Sequence, residues 1–351
     1  MKHFETYFLE QLHLHPSMEP QDVLKLCYQA AFGAEHLLKD LQRAKNYLQE
    51  EFRETEGRDI PLYELISQDI CRVNLSAWKF RGLPVEWLFS LFAASLGKKE
   101  DGEACFYEYL KRAETCFPEE ARGFSAEEWQ AYRRGYEAKG LHPVHHSDGY
   151  RKRENPAYRI VKAEYIRLFP ILEKAAAVLS QKDTCVIIID GRAASGKTTM
   201  AQQLKGILGA DVVQMDDFFL PLELRTAERL GTPGGNVHHE RFAEEVLPFL
   251  SVAEDFSYRI FDCGQMDYNG RRSVGNGRIR IVEGSYSCHP VFGKYADVTV
   301  FSGVDAAEQM TRIRKRNGEQ MAEMFRRKWI PMEEAYFSAY QIAEQADIPL
   351  E

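Results

Sequence analysis

The chain has 351 residues, 44% of them hydrophobic, with 45 lysines and arginines against 53 aspartates and glutamates and a net charge of −8. That length calls for two domains, and the acidic balance excludes nucleic acid as the principal partner. The seven cysteines, odd in number and without C-x-x-C spacing, exclude a disulfide framework and a zinc knuckle and suit a reducing cytoplasm.

The opening stretch MKHFETYFLEQLHLHP mixes acids and histidines into its apolar pattern, so neither a signal peptide nor a membrane span is expected. Residues 1–181 read as an all-α domain. Pro20 suits the first turn of a helix through Phe32, and Leu37, Leu41, Ala44, Leu48 and Phe52 share one helical face. Gly57 to Pro61 interrupts the pattern, Leu62 to Trp78 resumes it, and Pro84 opens a further helix through Leu96. Gly97 to Gly102 reads as a charged loop. Ser125 and Glu128 form a capping box ahead of Trp129, Tyr132 and Tyr136. A histidine-rich loop follows, Gly140 to Gly149, and from Tyr158 to Leu179 helical period returns with Pro170 expected to kink or interrupt the helix. Glu35 and His36, with His142, His145, His146, Asp148, Tyr150 and Arg151, read as solvated polar residues, the alternative being a phosphate or acceptor site formed by His145, His146 and Arg151. Their spacing makes no zinc knuckle.

From residue 182 onward, short apolar runs alternate with helical segments, as in an α/β domain with a parallel sheet. The runs are Cys185 to Ile189, Val212 to Met215, Arg278 to Val282 and Val298 to Phe301, with a weaker one at Tyr258 to Phe261. The first breaks into Gly191-Arg-Ala-Ala-Ser-Gly196-Lys197-Thr198, the G-x-x-x-x-G-K-[ST] phosphate loop in its strand-to-helix context. Backbone N–H groups curled around Ala193, Ala194, Ser195 and Gly196, with the start of the next helix at Lys197, Thr198 and Thr199, make a nest for polyphosphate. Lys197 can reach the outer phosphates and Thr198 can ligate magnesium, so ATP and Mg2+ are the expected ligands.

Ligands of such sheets gather at the carboxyl ends of strands, where this chain repeatedly places an acid: Asp190, Asp216 with Asp217, Asp262 and Glu283. Singly, each fits an ordinary turn. Together, beside a phosphate loop, they read as a magnesium and general-base cluster.

The phosphate loop, QMDDFFLP at 214 to 221, YRIFDC at 258 to 263, IVEGSY at 281 to 286 and TRIRKR at 311 to 316 together resemble the phosphoribulokinase and uridine kinase family of P-loop kinases, over about half the chain. The resemblance implies an α/β P-loop kinase domain over 182–351. It also implies that Asp216 takes the proton from the acceptor hydroxyl, that Glu283 joins Thr198 and Asp216 near magnesium, and that Arg312 and Arg316 close over the transferring phosphoryl. Asp217, Phe219, His238, Tyr258 and Asp262 are the implied acceptor contacts, with core packing the alternative for Tyr258. For TRIRKR the alternative is a solvated helix face; residues four apart share a face, which favours Arg312 with Arg316 over Arg314.

Two departures bear on the acceptor. Where uridine kinases present an acidic ribose-binding residue, this chain has Asn236, His238 and His239, and Phe219 stands where a tyrosine is usual. The histidines read as acceptor contacts or as a surface pair. The loop Leu220 to Arg241, with its Gly-Thr-Pro-Gly-Gly core, has the length of a lid. The expected activity is a kinase acting on a hydroxyl of a nucleoside or sugar-like small molecule, with the first domain a regulatory, acceptor-shaping or homo-oligomerising module. The alternatives are an ATP-gated binding protein with little transferase activity and a plain nucleotide hydrolase.

Overall fold

The computed structural model describes residues 2–34, 40–97, 100–116 and 123–351. Glu35, His36 and Leu37 lie outside them. The chain divides into two compact units, Met1–Ile166 and Arg167–Glu351. The division falls earlier than 181/182 because the helix Phe169–Leu179 packs on the sheet of the second unit.

The first unit is largely helical. Its helix Pro20–Phe32 has the expected bounds: proline at the first turn needs no N–H partner, and Glu19 with Asp22 closes a capping box. The Ser125–Glu128 box likewise starts the helix Ala126–Glu137, with Glu128 N–H donating to Ser125 Oγ at 3.1 Å. Phe4, Phe8, Leu24, Phe106 and Trp129 meet in one core.

An all-α unit is corrected in two places. Leu62 to Trp78 forms strands β1 (Tyr63–Leu65) and β2 (Ile70–Asn74) before a short helix, Leu75–Phe80, and Tyr158–Lys162 is β3. The three pair antiparallel in the order β1-β2-β3, with Cys71 opposite Val161 and Val73 opposite Arg159. Cys71 and Val73 are fully buried, and the β-branched Ile70, Val73, Ile160 and Val161 suit a pleated surface better than a helix. The helix begins only where the Asn74 side chain accepts from the N–H groups of Ser76 and Ala77. At Pro170 the expected helix is interrupted and not kinked: β3 and a 3-10 segment, Ala163–Leu168, come before it, and the proline sits in the first turn of Phe169–Leu179 and helps start it.

The second unit is built on a parallel sheet of β4 (Cys185–Gly191), β5 (Asp211–Gln214), β8 (Ile279–Glu283), β9 (Val298–Ser302) and β10 (Ile348–Leu350), in the order β10-β9-β4-β8-β5. Every residue of β4 is buried, which is why it reads as an unbroken apolar run. With β8 on one side and β9 on the other, β4 ends in the crevice where α/β sheets take their ligands. β6 (Phe256–Asp262) is not a member of this sheet. It pairs antiparallel with β7 (Asp267–Val274) as a separate two-stranded ribbon. β10, three residues with a central proline, carries too little pattern to be read from sequence. Among the described residues no helix is long and apolar enough to cross a membrane, and all seven cysteines are unpaired.

Candidate active site

Beyond β4 the chain turns through Gly191 to Gly196 into the helix Lys197–Leu208. Gly191 has φ 139°, and a Cβ there would lie 2.1 Å from the Ser302 carbonyl oxygen of β9, so the loop can leave the sheet only at glycine. Gly196 has φ 101°, and Ala194 also takes a positive φ of 58°, backbone strain of the kind that clusters at ligand sites. The Lys197 ammonium folds back over the loop and donates to the carbonyls of Gly191 (2.7 Å) and Arg192 (2.8 Å). The Ser195 hydroxyl is buried without a partner.

Two buried carboxylates brace this loop. Asp190, fully buried, accepts from the N–H groups of Gly191 (2.6 Å), Tyr286 (3.1 Å) and Cys288 (2.9 Å) and from the Tyr336 hydroxyl (2.8 Å). Its lone pairs are spent inside the protein, so it is corrected from a member of the magnesium and base cluster to a clamp beneath the loop. Glu333 accepts from Ala193 N–H at 2.9 Å and from the Ser285 hydroxyl at 2.8 Å. In sequence, PMEEAY reads as an ordinary charged helix surface, and nothing marked Glu333 out.

A cavity of about 710 Å³ opens above the loop. Lys197, Thr198, Asp216, Glu283, Arg312 and Arg316 all line it, as do Ala193, Ala194, Gly196 and Thr199. The Thr198 hydroxyl donates to Glu283 at 3.2 Å. Glu283 is 6% exposed, and burial pushes its pKa up to about 7; Asp216 and Asp217 add to this, while Lys197 and Thr198 oppose it. Gly284, φ 133°, lets the ends of β5 and β8 close up: a Cβ there would meet Met215 Cβ at 2.8 Å. The Asp216 carboxylate is open to solvent in the cavity yet walled by protein, and this desolvation raises its pKa against the pull of Lys197 and Arg316.

Neighbours in the motif part company. The 3-10 turn Met215–Phe218 sends Asp217 inward, where Arg272 binds it at 2.8 and 3.3 Å, so Asp217 is an ion-pair anchor and not a cavity residue. Phe219 does line the cavity. Tyr258 is core: its hydroxyl accepts from Gln214 N–H at 3.0 Å and its ring packs on Phe218. Asp262 ties its own turn, accepting from the N–H groups of Gly264 and Gln265, while Cys263 and Met266 of that turn face the cavity. His238 caps the helix His239–Glu245 through Arg241 N–H, and His239 is buried against His289. Both are corrected from acceptor contacts or a surface pair to packing elements.

The helix Ala306–Met324 presents Arg312 and Arg316 to the cavity, Arg312 also donating to the Ala194 carbonyl at 3.3 Å. Arg314 turns away to Glu319. The next segment, Phe325–Trp329, is a π-helical turn that adds Phe325, Lys328 and Trp329 to the wall; such turns recur at functional sites, but FRRKW gives no sign of one in sequence. Among the described residues no group of three or more histidines, cysteines or carboxylates forms a metal cage. Thr198 and Glu283 do fit magnesium, which keeps several waters and takes few protein ligands beside a polyphosphate.

In the first unit, the histidine-rich loop divides between buried and exposed residues. His146 is held from both sides, Nδ1 to Asp22 at 2.9 Å and Nε2 to the Tyr158 hydroxyl at 2.6 Å, and lies flat on Tyr150. Burial lowers its pKa to about 4. His145 and Arg151 are exposed, and His142 bonds its own loop at Gly140.

No family model matches the chain. Among solved structures it is similar to a possible uridine kinase from Bacillus stearothermophilus, at 19% identity over 53% of this chain and 97% of the other, with a TM-score of 0.40. It is also similar to a candidate fructose transport system kinase from Silicibacter sp. TM1040, at 22% identity over 51% and 98%, with a TM-score of 0.41. The fold assignment rests on the strand order and the loop geometry themselves.

Proposed function

We propose that the second unit is an ATP- and magnesium-dependent phosphotransferase that passes the γ-phosphoryl group to a hydroxyl of a small molecule. The observation that carries this reading is the convergence of a phosphate loop, a cavity-facing aspartate and two arginines on one cavity. The loop amides and the helix N-terminus would cradle the phosphates, and Lys197 would leave the Gly191 and Arg192 carbonyls for their oxygens. Magnesium would sit at Thr198 and Glu283, where it neutralises charge on the outer phosphates. Asp216 would accept the hydroxyl proton as the acceptor oxygen bonds to phosphorus and the bond to the ADP oxygen breaks. Arg312 and Arg316 supply positive charge for the equatorial oxygens.

The test is ADP formation by the purified full-length chain across a panel of nucleosides, sugars and simple alcohols. Turnover is expected only with an acceptor present. Phosphate release without one marks a hydrolase, and nucleotide binding with silence across the panel marks an ATP-gated binding protein.

A further inference from the structure

The cavity cations stand on two sets of elements. Lys197, Arg312, Arg316 and Lys328 belong to the phosphate loop and to the helical segments at 306–329, whereas Arg225 lies on the loop that follows β5. Its Nε donates to the Leu220 carbonyl at 2.8 Å, which fixes the half-buried guanidinium in place. Among the described residues no carboxylate comes within ion-pair distance of it. Arg229, four residues on, differs: it spends its donors on the Gly235 and Val237 carbonyls and on Glu240, and so holds the loop together. Arg225 also hydrogen-bonds the Cys263 thiol, which in turn feels the charge of Asp216, so the arginine, without a carboxylate partner, stands at the same end of the cavity as the proposed base.

Asn236 adds a second, independent sign. It lines the cavity at 5% exposure, and both its carboxamide oxygen and its nitrogen are buried without a well-formed hydrogen bond, although the Tyr286 hydroxyl lies alongside. Native proteins rarely leave a buried amide unsatisfied, and one that lines a cavity is open to a partner from within it. Phe219, Leu230 and Met266 complete an apolar wall.

We infer that the acceptor is a small alcohol carrying an anionic group, carboxylate or phosphate, which Arg225 binds while Asn236 hydrogen-bonds a polar group beside the reacting hydroxyl. This rests on the phosphotransferase reading. A guanidinium matches either anion through paired N–H donors, whereas a neutral sugar or nucleoside would leave Arg225 without an anionic partner in the cavity.

The experiment is calorimetric titration of the full-length protein, its loop saturated with a non-hydrolysable Mg·ATP analogue, with matched alcohols: glycerol, glycerate and glycerol 3-phosphate, then ribitol, ribonate and ribitol 5-phosphate. At least one anionic member should bind tenfold or more tighter than its neutral partner, and the carboxylate and phosphate arms decide which anion fits. Arg225→Gln should erase that preference without changing analogue affinity. Arg314→Gln should keep it, and Asn236→Ala should weaken charged and neutral members alike. Equal affinities for charged and neutral partners, a preference that survives Arg225→Gln, or no binding by any anionic member overturns the inference. The same samples with ATP separate the two claims: Arg225-dependent binding without ADP formation removes the phosphotransferase reading, and Arg225-independent phosphorylation of neutral alcohols removes only the inference.

Discussion

Two polar clusters in this chain use similar side chains to opposite ends. In the first unit a hydrogen-bonded chain runs from Asp22 through His146, the Tyr158 hydroxyl, Gln29 and Arg72 to Tyr7 and Glu64. Nearly every polar atom meets another; the Arg72 Nε is the exception. In the second unit the cavity residues leave groups open, the Asn236 carboxamide and the carboxylate of Asp216, and the Ser195 hydroxyl in the phosphate loop is likewise without a partner. A buried polar network closed on itself stiffens a core, while one left open around a cavity is poised for a ligand. The comparison also shows why histidine and aspartate content is a poor guide to function: the first unit holds the more catalytic-looking set, and that set is mutually satisfied.

Single substitutions should separate the two clusters. Asp22→Ala strands the donors of His146, Ser147 and Glu19 in a buried place and should destabilise the first unit by about 3 kcal/mol, read as an early thermal transition. Nucleotide affinity should stay within about twofold. Lys197→Ala should do the reverse, weakening nucleotide binding about 100-fold with that transition unmoved. If Asp22→Ala also abolishes nucleotide binding, the first cluster is more than a scaffold.

A smaller effect concerns pH. Glu283 has an ordinary pKa of 4.5 and a folded value of about 7, so between these limits the native protein keeps a proton that the unfolded chain has released. Stability of the ligand-free protein therefore falls as pH climbs from about 4.5 to 7, and Glu283→Gln should flatten part of that fall. Only part will go, because Asp190, Asp216 and Glu333 shift in the same direction. Mg·nucleotide affinity should rise as pH passes through 7 and lose about tenfold of that rise in the variant. An unchanged profile would remove Glu283 from the metal site.

What could be read in the sequence was local and motif-borne. The phosphate loop carries its own geometry in Gly191, Gly196 and Lys197, and the four-residue spacing of Arg312 and Arg316 puts both on the face that reaches the cavity. What escaped depends on contacts distant in the chain. Asp190 and Asp216 both follow apolar runs, but only packing by Tyr336 and Cys288 turns the first into a clamp. Glu333 lies 140 residues from the amide it holds. Asn236 and Arg225 come to the cavity because the loop after β5 folds onto itself, Leu220 N–H donating to the Asn236 carbonyl at 3.1 Å. The apolar positions of Leu62 to Trp78 fit both periods over so short a run, and pairing with β3 decided for strands.

In the proposed phosphotransferase, Asp216 readies an alcohol while the loop at 191–198 holds the triphosphate. Single-turnover phosphoryl transfer by wild type and Asp216→Asn, with Mg·ATP affinity measured on the same samples, tests it most directly. The account predicts transfer slowed about 1,000-fold with affinity changed by less than about threefold. Transfer at the wild-type rate, or a loss of transfer explained by lost nucleotide binding, would contradict it.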